Sequence, residues 1–250
     1  MRFILKRNMI IIKIKIDEIY YKFLVDTGSE RSFIVRNKNI EKYKQNILEK
    51  IKVKGIGGEE FLKNKYIFPK INIDNTIIHK VEILEKKRNS LFLYLGIDGI
   101  LGWDILKKLD LLIDIKNKIF SLVTETTQNK KIGTPIISDK QLVIEMKYKN
   151  DLHSALIDLG ATESFVTQEV FNNYDVIWER NIVLGINGIK LIKVATIKNI
   201  ILNIAGIEYK SRKLLIKSEN FNWKFKLGMD FFENRKIFLK NSIKEMVIVE

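Results

Sequence analysis

The sequence contains no cysteine and only two prolines among its 250 residues. Without cysteine the chain has no disulfide framework, no thiolate zinc site, no iron–sulfur cluster and no cysteine nucleophile. With so few prolines it has no proline-rich linker. Apolar residues make up 46% of the chain, which excludes general disorder and predicts a core of substantial size.

Long hydrophobic runs are also missing. Stretches such as Met9–Ile12 and Leu91–Ile97 are far shorter than the roughly 18–20 apolar residues that span a membrane. After a basic start, Met9–Ile16 alternates apolar residues with lysine, which is typical of a strand and not of a secretory signal. We therefore expect a cytoplasmic protein without a membrane partner.

Acidic residues are the minority among the charged ones, with 30 against 44 basic residues and a formal net charge of +14. The excess of lysine and isoleucine is typical of an AT-rich coding sequence, and no basic block stands out. A positive charge attracts nucleic acid, but no RNA- or DNA-binding signature accompanies it, so nucleic acid is not an expected partner. His79 and His153 are isolated, and neither a metal nor another cofactor is expected.

Alternating and short apolar runs predict a mainly β chain with a few short helices. The predicted strands are Ile10–Ile16, Tyr20–Val25, Ile51–Val53, Tyr66–Ile73, Ile77–Leu84, Leu111–Ile115, Lys118–Leu122, Gln141–Tyr148 and Leu152–Ile157. Helices are predicted at Ile40–Leu48 and at Ile105–Leu109. The polar residues 127–135 predict a linker.

Three motifs occur twice in the same order. The matching pairs are Phe23–Ile34 with Ala155–Val166, Val53–Gly58 with Val183–Gly188, and Leu101–Asp104 with Leu227–Asp230. An ordered series of matches is hard to obtain by chance and predicts a duplicated unit. We therefore expect one lobe at 1–126 and a second at 136–250, joined by the linker at 127–135.

Each copy places one aspartate directly after an apolar strand and before a glycine turn. These residues are Asp26 and Asp158. Two carboxyl groups brought close together do not both ionise easily, so the pair shares a proton. One carboxylate can then activate a water while the other carboxyl protonates a carbonyl oxygen. The simpler reading is that both aspartates are turn residues, and the repetition of the whole motif set argues against it.

The sequence resembles the retropepsin-like aspartic proteases, the family of retroviral proteases and their bacterial and retrotransposon relatives. The segments that carry the resemblance are Leu24–Ser29, Gly55–Gly58 and Ile100–Leu106, repeated as Ile157–Ala161, Gly185–Gly188 and Lys226–Phe232. They match the catalytic motif, the glycine-rich flap and the hydrophobic-glycine motif with its short helix. The resemblance covers nearly the whole chain.

The resemblance implies an all-β fold of two pseudo-symmetric lobes and an aspartic endopeptidase that acts as a monomeric, intramolecular pseudo-dimer on peptide or protein substrates. It implies that Asp26 and Asp158 activate the water. It implies supporting roles in the two catalytic loops for Thr27, Gly28, Ser29, Leu159, Gly160 and Ala161. It implies substrate-binding flaps made of Gly55, Ile56, Gly57, Gly58, Gly185, Ile186, Asn187 and Gly188.

The second copy departs from the family pattern at three positions. Leu159 stands where the family has a hydroxyl residue, Asn187 where the first copy has Gly57, and Lys226 where it has Ile100. Leu159 has no donor or acceptor for the opposite loop. An inactive, peptide-binding pseudo-enzyme is therefore the main alternative, ahead of a nucleic-acid-binding protein and a glycosidase with two carboxylates. Asp104 and Asp230 are expected to cap short helices.

Overall fold

The computed structural model describes residues 1–123, 133–171, 176–217 and 223–249. Most of the predicted linker, 127–132, lies outside these residues. The elements of the first half are strands β1 (Ile4–Lys6), β2 (Met9–Ile16), β3 (Ile19–Val25), β4 (Phe33–Val35), β5 (Lys44–Gly55), β6 (Gly58–Ile73), β7 (Thr76–Lys86), β8 (Gly99–Leu101), β9 (Leu111–Asp114) and β10 (Ile119–Leu122), helices α1 (Ser90–Leu95) and α2 (Trp103–Leu106), and a 3-10 helix at Lys38–Tyr43.

The second half is described by a similar succession of elements. They are strands β11 (Thr134–Pro135), β12 (Val143–Tyr148), β13 (Asp151–Ile157), β14 (Phe165–Thr167), β15 (Glu179–Gly185), β16 (Gly188–Ile204), β17 (Ile207–Lys217), β18 (Phe225–Leu227), β19 (Lys236–Lys240) and β20 (Glu245–Val249), with 3-10 helices at Gln168–Phe171 and Asn241–Ile243. The expected all-β class with short helices is confirmed.

Two large sheets share the same order of seven equivalent strands, and the first carries β1 as an additional edge strand. The first runs β1-β2-β3-β8-β4-β7-β6-β5, and the second runs β12-β13-β18-β14-β17-β16-β15. The registers agree as well, because Val25 pairs in parallel with Leu101 and Ile157 pairs in parallel with Leu227. The repeated motifs therefore lie at equivalent places in two lobes of the same architecture.

A third sheet joins the two halves of the chain. Its order is β10-β9-β19-β20-β11, so strands from the first half pair with strands from the second. Ile113 of β9 lies opposite Ile237 of β19, and both side chains are fully buried. Burying an isoleucine stabilises a fold by about 1.5–3 kcal/mol, so this sheet ties the lobes together through its apolar face as well as its backbone hydrogen bonds.

The predicted helix at Ile40–Leu48 is wrong for most of its length. The 3-10 helix Lys38–Tyr43 ends where β5 begins, and the chain then pairs with β6. Only Ile40 of this 3-10 helix is buried, so the segment has no apolar stripe to stabilise a longer helix. The helix after Trp103 forms as α2, two residues earlier than predicted.

Helix α1 is not predicted by the sequence, although its boundary signals are present. The Asn89 side chain accepts hydrogen bonds from the first N–H groups, and Gly96 ends the helix with a φ of 63°. Both are ordinary helix-capping features. The apolar run Leu91–Ile97 hides the helical period because nearly every residue in it is hydrophobic.

Candidate active site

Two loops place Asp26 and Asp158 at equivalent ends of their sheets. Asp26 follows β3 and donates its N–H to the Leu101 carbonyl at 3.0 Å, while Asp158 follows β13 and donates to Leu227 at 2.9 Å. Both preceding strands end in fully buried apolar residues. The backbone that carries each carboxyl group is therefore fixed between neighbouring strands.

The two carboxyl groups face each other across the lobe interface. A Cβ added to Gly28 would collide with the Asp158 carboxyl group, and a Cβ added to Gly160 would collide with that of Asp26. Each loop thus packs its glycine against the opposite carboxyl, which explains why the motif needs a residue without a side chain at this position.

Burial and the neighbouring carboxylate control the protonation of Asp26. The pKa of Asp26 is raised to about 8, mainly by removal of the carboxyl from water and next by the negative charge of Asp158. The Lys226 ammonium and the Ser29 N–H oppose this rise. Asp26 therefore holds a proton at neutral pH, as one member of a close carboxyl pair does.

Lys226 lies within this site, although the sequence does not place it there. Its Nζ forms an ion pair with Oδ2 of Asp158 at 2.5 Å, and both side chains are largely buried. The other Asp158 oxygen accepts the N–H of Gly160 at 3.0 Å. The only sign of this role in the sequence is a difference between the two copies: Lys226 precedes Leu-Gly in the second copy, where Ile100 precedes it in the first.

Thr27 connects the two catalytic loops. Its hydroxyl donates to the Ile157 carbonyl at 2.6 Å and accepts the N–H of Leu159 at 3.0 Å. Leu159 is fully buried next to it. Leucine offers no hydroxyl for the reciprocal bonds, so the side-chain hydrogen bonding between the loops is one-sided.

A serine–aspartate pair supports each loop from behind. Ser32 donates to Asp104 at 2.6 Å and accepts the Gly102 N–H at 2.9 Å. The second lobe repeats this network with the same distances through Ser164, Asp230 and Gly228. The prediction that Asp104 and Asp230 cap helices is wrong, because among the described residues no side chain caps α2 and Asp230 is followed by turns.

Gln141, from the second half, contacts the first catalytic loop, and Trp223 holds Gln141 in place. The Gln141 amide donates to the Gly28 carbonyl at 2.5 Å, and the Trp223 indole N–H donates to the Gln141 oxygen at 3.2 Å. Neither residue belongs to a repeated motif. The sequence therefore gave no signal for this contact, which fixes the carbonyl of the loop that carries Asp26.

The two glycine-rich segments form hairpins whose tips meet. The Asn187 N–H donates to the Ile56 carbonyl at 3.2 Å, and its side-chain amide donates to Gly58 at 2.8 Å and Val53 at 3.3 Å. Lys86, which is almost fully buried, donates to the Asn187 amide oxygen at 2.9 Å. Asn187 therefore holds the second hairpin against the first.

Within the described ranges, no group of three histidine, cysteine, aspartate or glutamate side chains is placed to hold a metal ion. None of the described helices is long and apolar enough to cross a membrane.

Comparison with known proteins agrees with this architecture. Residues 6–114 match the family model of the retroviral aspartyl protease. The structure is similar to the crystal structure of the aspartic proteinase from Irpex lacteus, with a TM-score of 0.67 and 14% sequence identity over 97% of this chain and 94% of that chain. No curated protein matches the chain by sequence. The family resemblance is confirmed over the first half, and the two-lobed fold is confirmed over nearly the whole chain.

Proposed function

We propose that this chain, which carries a retropepsin-like aspartyl protease domain and folds as a two-lobed aspartic proteinase, is an aspartic endopeptidase. The observation that carries the proposal is the pair of facing carboxyl groups, Asp26 and Asp158, each packed against the glycine of the opposite loop. One chain would supply both halves of the catalytic dyad.

The protonation of the pair suits hydrolysis of a peptide bond. The ionised carboxylate takes a proton from a water molecule, whose oxygen attacks the peptide carbonyl carbon, while the protonated Asp26 gives its proton to the carbonyl oxygen. The resulting tetrahedral intermediate breaks at the C–N bond, the leaving amine takes up the proton that Asp158 received from water, and a hydroxyl of the intermediate returns its proton to Asp26. The water is consumed, and the dyad returns to a single shared proton.

The two hairpins fit the role of substrate-binding flaps. Glycine at their tips leaves backbone N–H and C=O groups free of side-chain bulk, as recognition of an extended peptide requires. Their tips are joined by the Asn187 hydrogen bonds, so the hairpins would have to separate for a long substrate to enter. The remaining positions of the two catalytic loops would fix the geometry of the dyad.

The test is cleavage of a peptide library by the purified protein and by the Asp26→Asn and Asp158→Asn variants. Each substitution should abolish cleavage, and the double variant should be no worse than either single one, because the two carboxyls act as a unit. Asp151→Asn, at an exposed hairpin position, is the matched control. If either dyad variant cleaves at the parent rate, or the parent protein cleaves nothing but binds peptides, the endopeptidase proposal is wrong.

A further inference from the structure

The ion pair between Lys226 and Asp158 makes the two carboxyl groups chemically unequal. Lys226 Nζ lies 2.5 Å from Asp158 Oδ2, and the two side chains are 17% and 11% exposed. A buried carboxylate without a partner is strongly disfavoured, whereas one paired with an ammonium and a backbone N–H is stabilised in its ionised form. Asp158 has both partners, because its second oxygen accepts the Gly160 N–H.

The corresponding position beside Asp26 is apolar. Ile100 lies on β8 and pairs with Leu24 and Phe33, just as Lys226 on β18 pairs with Leu156 and Phe165. Ile100 is fully buried in an apolar cluster with both of its partners. The same place in the two sheets therefore holds a hydrophobic side chain in one lobe and a cation in the other.

We propose that Lys226 is a positioning residue that assigns the two roles of the dyad, holding Asp158 ionised as the base and leaving the proton on Asp26 as the acid. This inference rests on the proposed function for its catalytic meaning, but the unequal protonation is a property of the folded protein alone. In a symmetric pair the proton exchanges between equal sites. Here the ammonium removes that equality.

Charges near the site do not supply a competing partner among the described residues. The charged groups that act on Asp26 are Asp158 and Lys226. The other ionisable side chains on the neighbouring strands and loops include Asp104 and Asp230, which accept hydrogen bonds from Ser32 and Ser164. They also include Lys224 paired with Glu169, Lys213 paired with Glu163, half-buried His153, and exposed Glu30 and Arg31. Lys226 is thus the cation in direct contact with the dyad.

The sign of the effect is fixed by the charge of the ammonium. It opposes the rise in the pKa of Asp26. Removing it should therefore move the ionisation of Asp26 to higher pH. An opposite charge within about 4–6 Å changes a carboxyl pKa by about 1–3 units, so a shift of at least about one pH unit is expected.

The experiment uses three substitutions of Lys226. Lys226→Ile introduces the residue found at the equivalent position of the first lobe. Lys226→Met keeps a long unbranched side chain without the charge, and Lys226→Arg keeps the charge. Lys198→Ile, at an exposed strand position, is the control. Carboxyl carbons of Asp26 and Asp158 are titrated by carbon-13 NMR, with signals assigned from the two asparagine variants, and kcat/KM is measured against pH. Thermal unfolding shows which variants remain folded.

We expect Lys226→Ile and Lys226→Met to shift the titration of Asp26 and the alkaline limb of the pH profile upward, while Lys226→Arg and Lys198→Ile keep the parent values. Unchanged carboxyl titration in a folded Lys226→Met variant would overturn the proposal. If the titration shifts but no variant and no parent cleaves peptides, the proposed protease activity fails while the assignment of protonation stands.

Discussion

The Thr27 hydroxyl accepts a hydrogen bond from the Leu159 N–H at 3.0 Å, although these two residues occupy the same position of the two repeats. No reciprocal bond is available, because leucine has no polar atom in its side chain. A net hydrogen bond contributes about 0.5–1.5 kcal/mol, and a buried leucine contributes about 1.5–3 kcal/mol. Burial of Leu159 can therefore stabilise the fold as much as the missing hydrogen bonds would. An apolar contact does not, however, fix the orientation of the facing loop as a directional hydrogen bond does.

The first prediction concerns Leu159→Thr. We expect this variant to fold, to unfold at nearly the parent temperature, and to equal or exceed the parent in turnover, because a second hydroxyl would orient the facing loop. Thr27→Leu is the matched reverse change. It should destabilise the protein by about 1–3 kcal/mol in urea unfolding, because it leaves the buried Ile157 carbonyl and Leu159 N–H without their partner. A larger loss from Leu159→Thr than from Thr27→Leu would contradict this account.

The second prediction concerns the pH dependence of stability. The pKa of Asp26 is about 8 in the folded protein and about 3.9 in an unfolded chain. Between these values the native state binds more protons than the unfolded state, so the contribution of Asp26 to stability declines as pH rises from about 4 to 8. Asp26→Asn removes this titration.

The melting temperature of Asp26→Asn relative to the parent should therefore increase steadily between pH 4 and pH 8. Differential scanning calorimetry at several pH values measures it, with Asp151→Asn as the surface control. Parallel curves for the parent and Asp26→Asn over this range would show that the buried carboxyl is not protonated at neutral pH.

The third prediction concerns the contact between the two hairpins. Asn187→Gly gives the second hairpin the residue of the first and removes the side-chain bonds to Val53, Gly58 and Lys86. Amide hydrogen exchange should become faster at 53–58 and 185–189, because the hairpins separate more often. Asn75→Gly, at a turn residue with a φ of 64°, is the control. Unchanged exchange at both tips would mean that Asn187 does not hold them together.

The sequence predicts the parts of the site that depend on local pattern. Apolar strands ending in Asp-x-Gly locate Asp26 and Asp158, and the repetition predicts that two such loops exist. The contact of Lys226 with Asp158 depends on the register of β18 between β13 and β14, which tertiary pairing sets. No local pattern encodes that register, so Lys226 is visible in the sequence only as an unexplained difference between copies.

The same reasoning explains the other residues that the sequence does not assign. Lys86 is almost fully buried because Glu60 and Asn187 come to its ammonium from distant parts of the chain. Gln141 reaches the Gly28 carbonyl across the interface between the lobes. Such long-range polar contacts leave no periodic signal, whereas amphipathic strands do.

The joining of both sheets in one polypeptide allows the two sides of the dyad to specialise separately. In an assembly of two identical subunits, a lysine at the Lys226 position would be present twice and would set two ammonium groups against two carboxylates. Both carboxylates would then be held ionised, and no proton would remain for the acid. Here the third sheet joins two halves of a single chain that differ in sequence. One mutation therefore changes one side of the dyad alone, and the other carboxyl can keep its proton.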